Sequence, residues 1–255
     1  MENESTGVIV KTFKVLEAFL IEQNGDIGIS QLASLTGLKV STVHRITSVL
    51  VAGGYLRQLG KRGKYTLGLK FIDFGNAIKR NLRIKDIVMP IMENLRTATG
   101  ESVNLAIRDQ DNVVYVEHVD SKQTLRTFTE AGNRAPLHCT GVGKIFLASM
   151  REEERIILSK KLFTRFTDNT ITDFREMEKE LSIIRREGIA IDNGEMDIGV
   201  RCIAAPVKDS DARVIAALSI SGPYTRLNNK RVEELKPLVR GYALEISRTL
   251  GYTAE

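Results

Sequence analysis

Ile29–Leu50 reads ISQLASLTGLKVSTVHRITSVL, two short helical segments split at Gly37. Ala33 is small where two helices must approach closely. Gly37 follows four residues later and tolerates positive φ in a tight turn. Val43, six residues further on, plugs the core between the helices. That is helix-turn-helix spacing. An ordinary helical hairpin uses the same small residue and glycine, so the flanking sequence has to decide.

It decides through the third helix, Val40 to Ala52. Val43, Ile46 and Leu50 make a buried stripe. The opposite face offers Ser41, Thr42, His44, Arg45 and Ser48, all able to hydrogen-bond, with no carboxylate among them. A major groove asks for such a face, because base edges present mixed donors and acceptors. A membrane-surface helix instead sets several lysines beside bulky exposed apolar residues.

Upstream, Val10, Phe13, Leu16 and Leu20 mark one face of a helix from Val8 to Gln23, and Asn24-Gly25-Asp26 closes it. The second helix runs from Ser30, a candidate N-cap, to Thr36. Downstream, Tyr55–Leu59 and Lys64–Leu67 are β-prone and flank a basic, glycine-bounded tip, Gly60-Lys61-Arg62-Gly63. This is a wing, and the unit reads as a winged helix-turn-helix. Lys61, Arg62 and Lys64 suit phosphate anchoring better than sequence readout.

Charge agrees. The 255-residue chain carries a formal net charge of +5. Residues 1–85 hold +7 of it and residues 86–255 hold −2. Between Ile27 and Lys85, 11 basic residues face one acid, Asp73. Folded surfaces usually mix signs, so a polyanion is the expected partner. No stretch free of Lys, Arg, Asp and Glu exceeds 12 residues, too few for a membrane-crossing helix. The acidic start Met1-Glu2-Asn3-Glu4 has no apolar h-region, so a secretory signal is not expected, and with two cysteines a reducing cytoplasm is the expected location. Two cysteines and three histidines form neither a disulfide framework nor a zinc finger. No cofactor is implied, and metal binding by His138, Cys139 and Cys202 stays open.

Phe71, Phe74, Ile78 and Leu82 form a helical stripe, and Arg83 to Ala98 is a further helix that Pro90 bends. From Glu101 the period changes to strands at Ser102–Ile107, Val113–Val116 and Leu125–Glu130. A loop, Gly132–Pro136, leads to a helix ending at Met150. Helix Phe174–Glu187 follows, then strands at Ile189–Asp192, Cys202–Lys208 and Val214–Ser221. A last helix carries Val232, Leu235, Val239, Tyr242 and Ile246. The order suggests an α+β sheet covered on one side. Ser219 and Ser221 share one strand face, as a polar patch in a pocket or as an exposed sheet surface. Thr140 is a candidate N-cap for the helix at Gly141, whose free N–H groups would favour a carboxylate. Alternatively, the glycines there only permit close packing.

Ile29–Leu50 with the wing, Leu137–Lys144, Gly199–Val207 and Ala216–Pro223 resemble, in this order, the IclR family of bacterial transcription regulators. The likeness covers nearly the whole chain. It implies a winged helix-turn-helix at 1–68, linker helices at 69–98 and a GAF-like α/β effector-binding domain at 99–255. It further implies a homodimer or homotetramer on a near-palindromic double-stranded DNA operator, with repression the more frequent outcome. The matching effector-site residues are Asp192, Cys202, Ser219, Ser221 and the Thr140–Gly141 backbone, with Leu125 and Phe128 as apolar wall. A small organic acid is the implied ligand, and Arg126 and Arg134 are further candidates for pairing with it. His138 and Cys139 are adjacent and point in different directions, so a thiol hydrolase is not expected. The rival is a metabolite-binding protein or enzyme whose basic amino-terminal region is incidental or binds RNA.

Overall fold

A computed structural model describes residues 4–21, 26–60, 63–75 and 85–253. Lys61, Arg62, Ile78, Leu82 and Arg83 lie outside the described residues. The chain divides into two compact units, Met1–Arg83 and Ile84–Glu255.

In the first unit, α1 (Glu4–Ile21), α2 (Ile29–Thr36) and α3 (Val40–Ala52) precede a hairpin of β1 (Leu56–Gln58) and β2 (Tyr65–Leu67). Gly37 ends α2 in the left-handed region at φ +68, as the tight turn requires. Val43, Ile46 and Leu50 pack with Leu32, Ile27, Leu56 and Tyr65 into one core, and Ala33 packs against it. Ile27 pairs with Tyr65 through two 2.8 Å backbone hydrogen bonds, a third strand-like contact on the wing.

Two local expectations change. The buried face of α1 is Val15, Ala18 and Phe19, with Leu16 half-buried, while Val10, Phe13 and Leu20 are exposed. The helix is apolar on more than one side, and its packing on α2 and α3 selects one of them. Ser30 lies inside α2, and Gly28 caps it with no side-chain bond.

The second unit opens with α4 (Lys85–Thr99) and strands β3 (Ser102–Asp109), β4 (Asn112–Val119) and β5 (Arg134–Pro136). Next come α5 (Gly141–Ser149), α6 (Glu152–Leu162) and α7 (Phe174–Glu187). Strands β6 (Ala190–Asp192), β7 (Val200–Lys208) and β8 (Val214–Pro223) and helix α8 (Asn229–Thr249) complete it. The sheet is antiparallel, ordered β5-β4-β3-β8-β7-β6. Thus β8, late in sequence, lies at its centre beside β3.

Both faces of this sheet are covered, not one. Ala106, Ala190, Ala204 and Ala217 pack under α5 and α7. The alternate residues Val103, Leu105, Ile203, Leu218 and Ile220 are also fully buried, and α4 and α8 pack on their side. An α5–α7 layer and an α4–α8 layer each present an apolar stripe, which needs a sheet face to bury it. The residues read as linker helices divide accordingly. Helical residues 70–75 stay with the first unit, where Phe71 and Phe74 pack on Tyr55, whereas α4 packs on β3, β4 and α8. Residues 125–130 form no strand, and Arg134–Pro136, read as loop, pairs with Asn112–Val114 instead. Helix α6 was not anticipated, although Glu152, Glu153 and Glu154 in its first turn are a start signal.

Candidate functional site

The first unit presents Ser41, His44, Arg45 and Ser48 exposed on α3, with Thr42 half-buried, opposite the buried Val43, Ile46 and Leu50. The Ser48 hydroxyl donates back to the His44 carbonyl at 2.8 Å. His44, Gln58 and Lys64 line an open groove with Gly28–Gln31 at the start of α2. Lys64 pairs with Asp26 at 3.2 Å. Val49, 68% exposed, adds an apolar element that hydrophobic periodicity does not single out.

In the second unit a cavity of about 180 Å³ opens between the sheet and the start of α5. Its floor comes from strand register. Asp192 opposes Cys202, and Cys202 opposes Ser221. One row over, Ala204 opposes Ser219, Ser219 opposes Asn104, and Asn104 opposes His118. Polar side chains from five strands therefore meet on one face of the sheet.

The wall is the N-terminus of α5. Thr140 Oγ1 donates to the Pro136 carbonyl at 3.0 Å and accepts the Gly143 N–H at 3.1 Å. The Gly141 and Val142 amides belong to the first turn, where the helix supplies no acceptor. Gly143 is required by close approach: a Cβ there would stand 2.3 Å from the Leu137 carbonyl oxygen.

Burial dominates the electrostatics. It pushes the Asp192 carboxyl up to about 7, against the Glu195 N–H that bonds it at 2.8 Å. It also raises the Cys202 thiol well above its ordinary value, with Asp192 adding to the effect. The Tyr115 hydroxyl in the cavity wall is raised for the same first cause. Behind the floor, Glu195 holds the buried Lys144 at 2.6 Å, and Glu180 holds it at 3.0 Å. Desolvation opposes the Lys144 charge, yet the two carboxylates hold its pKa above the ordinary lysine value.

A protein-family model described as bacterial transcriptional regulator IclR C-terminal matches residues 76–248, and the IclR helix-turn-helix domain matches residues 8–60. The chain belongs to the IclR family. The HTH-type transcriptional regulator KdgR of Dickeya chrysanthemi is 35% identical over 98% of this chain and 81% of its own. The transcriptional repressor IclR of Escherichia coli is 31% identical over 95% of this chain and 89% of its own. Among solved structures, the IclR of Thermotoga maritima superposes with a TM-score of 0.78 at 31% identity, covering 97% of this chain and 100% of that one. An IclR homologue from Microbacterium hydrocarbonoxydans, complexed with 4-hydroxybenzoate, gives 0.85 at 26% identity over 95% and 98% of the two chains. As an IclR-family member, this protein is a ligand-responsive, DNA-binding transcription regulator with a winged helix-turn-helix unit and an α/β effector-binding unit.

In this IclR-family chain the cavity gathers Thr140, Gly141, Asp192, Cys202, Ser219, Ser221 and Phe128. It leaves out Leu125, which is 65% exposed and lends its carbonyl to Arg226 at 2.8 Å. The loop that replaces the expected strand turns Leu125 away. Arg134 lines the cavity and is engaged by Asp109, while Arg126 is held by Asp120 at 2.9 Å. Asn104, Tyr115 and Thr127 also line it. The polar Asn104 inside the run Ser102–Ile107 was the available signal for the first, although an alternating strand with one solvated face would show the same residue. Cys139 is buried with its thiol pushed up to about 12, first by desolvation. His138 Nε2 donates to the Thr164 carbonyl at 2.9 Å. Among the described residues, no three His, Cys, Asp or Glu side chains are grouped to hold a metal ion.

Proposed function

We propose that this regulator represses transcription from a near-palindromic operator and that a small organic acid in the cavity changes its hold on DNA. The observation that carries the reading is the buried start of α5, where the Gly141 and Val142 amides face polar strand residues, an arrangement suited to a carboxylate. Relatives named as repressors support the sign, and a related structure holding 4-hydroxybenzoate supports an acid. The Gly141–Val142 amides take the carboxylate, with Asp192, Cys202, Ser219 and Ser221 around it. The domain binds its ligand and does not turn it over. On the DNA side, Ser41, Thr42, His44, Arg45 and Ser48 face base edges, and Lys61, Arg62 and Lys64 contact phosphates. A homodimer or homotetramer in the cytoplasm matches the two half-sites. The acid shifts the DNA-competent population only by its difference in affinity for the two states.

Anisotropy titrations across salt, with a palindromic and a scrambled duplex, test the reading. The expected result is a sequence preference that survives moderate salt and changes when carboxylic acids are added. Equal affinities that collapse together with salt overturn it and favour an incidental basic region.

A further inference from the structure

A polar side chain buried in a sheet face needs a protein partner, a water or a ligand that replaces the water. On this floor the account is incomplete. Asn104, 2% exposed, is bonded at both ends of its amide. His118 Nδ1 contacts Oδ1 at 2.6 Å, and Nδ2 donates to Ser221 Oγ at 3.1 Å. His118 Nε2 in turn lies 3.2 Å from Asp120 Oδ1, so one end of the Asn104 amide is held by His118 and the other faces Ser221 on the cavity side. Ser221 Oγ also shares a 2.8 Å hydrogen bond with Thr127. The Ser219 hydroxyl, in a residue only 3% exposed, lines the same cavity and bonds to no described residue.

These groups stand apart from the helix wall. A Cβ on Gly141 would meet Cys202 and Ala204 on β7 at 3.6 and 3.3 Å. Ser219 lies one strand away on β8 and Asn104 two strands away on β3, about 5 and 10 Å across the sheet. The cavity is thus two-ended, with amide N–H groups at one end and hydroxyl- and amide-bearing side chains at the other. At about 180 Å³ the cavity is well below the ~300–1,000 Å³ of drug-sized pockets.

Resting on the effector reading above, we infer that the ligand is a short hydroxy acid, recognised by its hydroxyls as well as its carboxylate. Its carboxylate lies on the Gly141–Val142 amides and its hydroxyls on Ser219, Ser221 and Asn104, with Asn104 setting the preference. An acid without a hydroxyl, aromatic or aliphatic, displaces water from the cavity and leaves the Ser219 hydroxyl without a partner. A site built to bond a hydroxyl rejects the analogue lacking it, by up to ~10⁴–10⁵-fold in strong cases.

Calorimetry on the full-length protein tests this with three matched pairs: glycerate and propanoate, threonate and butanoate, gluconate and hexanoate. Benzoate and the carboxylate-free glucitol complete the panel. At least one hydroxy acid should bind on the order of a hundredfold more tightly than its partner, and more tightly than benzoate and glucitol. Ser219→Ala removes no hydrogen bond within the protein, so it keeps the fold, and it should cut that ratio at least about tenfold while sparing the deoxy acid. Asn104→Leu, where circular dichroism shows it folded, should erase the ratio. Equal or tighter binding of the deoxy acids or benzoate overturns the inference and leaves an acid site standing. Glucitol binding as tightly as gluconate, or an unchanged ratio in Ser219→Ala, also overturns it. Failure of every carboxylate to bind overturns the effector reading as well.

Discussion

The Glu195 backbone N–H donates to Asp192 Oδ1 at 2.8 Å, so the residue that fixes the cavity carboxyl also holds the buried Lys144 through its own side chain. The ligand-facing floor and the charged interior are therefore joined through one loop residue. One oxygen of Glu195, Oε2, is buried without a partner, which leaves Lys144 as its main compensation.

Lys144→Met is expected to destabilise the second unit by about 3–5 kcal/mol, because Glu195 is left charged, buried and unpaired. Urea unfolding reads this directly. The double variant Lys144→Met with Glu195→Gln should recover part of the loss; a purely additive result would mean that the ion pair is not the cause.

Asp192 carries a proton in the folded state up to about pH 7, whereas an ordinary aspartate loses it near 4. The sign follows: stability is full below the ordinary value and is lost as pH rises toward and through 7. Asp192→Asn keeps the acceptor for the Glu195 N–H and removes the titration. It should raise Tm at pH 8 by a few degrees and change it little at pH 4.

The same group should couple acid binding to pH. Affinity for a carboxylate ligand is expected to fall above pH 7, by at most about tenfold per pH unit for one proton. Titration calorimetry in two buffers of different ionisation enthalpy should show proton uptake on binding. Asp192→Asn should abolish it, and persistent uptake in that variant would assign the proton elsewhere.

Two glycines make an opposed pair. Gly143→Ala drives a methyl against the Leu137 backbone, so about 1–3 kcal/mol of stability and acid binding should be lost together. Gly241→Ala, inside α8 with open space at its Cβ, should stabilise by about 0.5–1 kcal/mol. Thermal melts of both variants check the contrast.

On the DNA side, Arg45→Ala should relax discrimination between operator and scrambled duplex by about 1–3 kcal/mol. Lys64→Ala should weaken both about equally and lower the salt slope by about 1. If both variants weaken every duplex equally, the division into base-reading and phosphate-anchoring residues is wrong.

Local chemistry was legible without coordinates wherever one element decides it. The turn at Gly37, the core stripe of α3 with its polar opposite face, the glycine-tipped wing and the Thr140 cap all follow from spacing and side-chain type. The shared direction of Ser219 and Ser221 followed from a period of two. What depended on a choice between partners was not legible. The apolar residues of α1 offered more than one packing face, and its neighbours chose Val15, Ala18 and Phe19. Residues 125–130 are β-prone, but the sheet edge took Arg134–Pro136, which turned Leu125 out and left Phe128 and Thr127 over the cavity. Asn104, placed 115 residues before Ser219, meets it only because β3 lies beside β8. Sequence determines which residues have the chemistry for a site, whereas strand order and register decide which of them share one. Period and capping act within a few residues, while those contacts are made across a hundred or more.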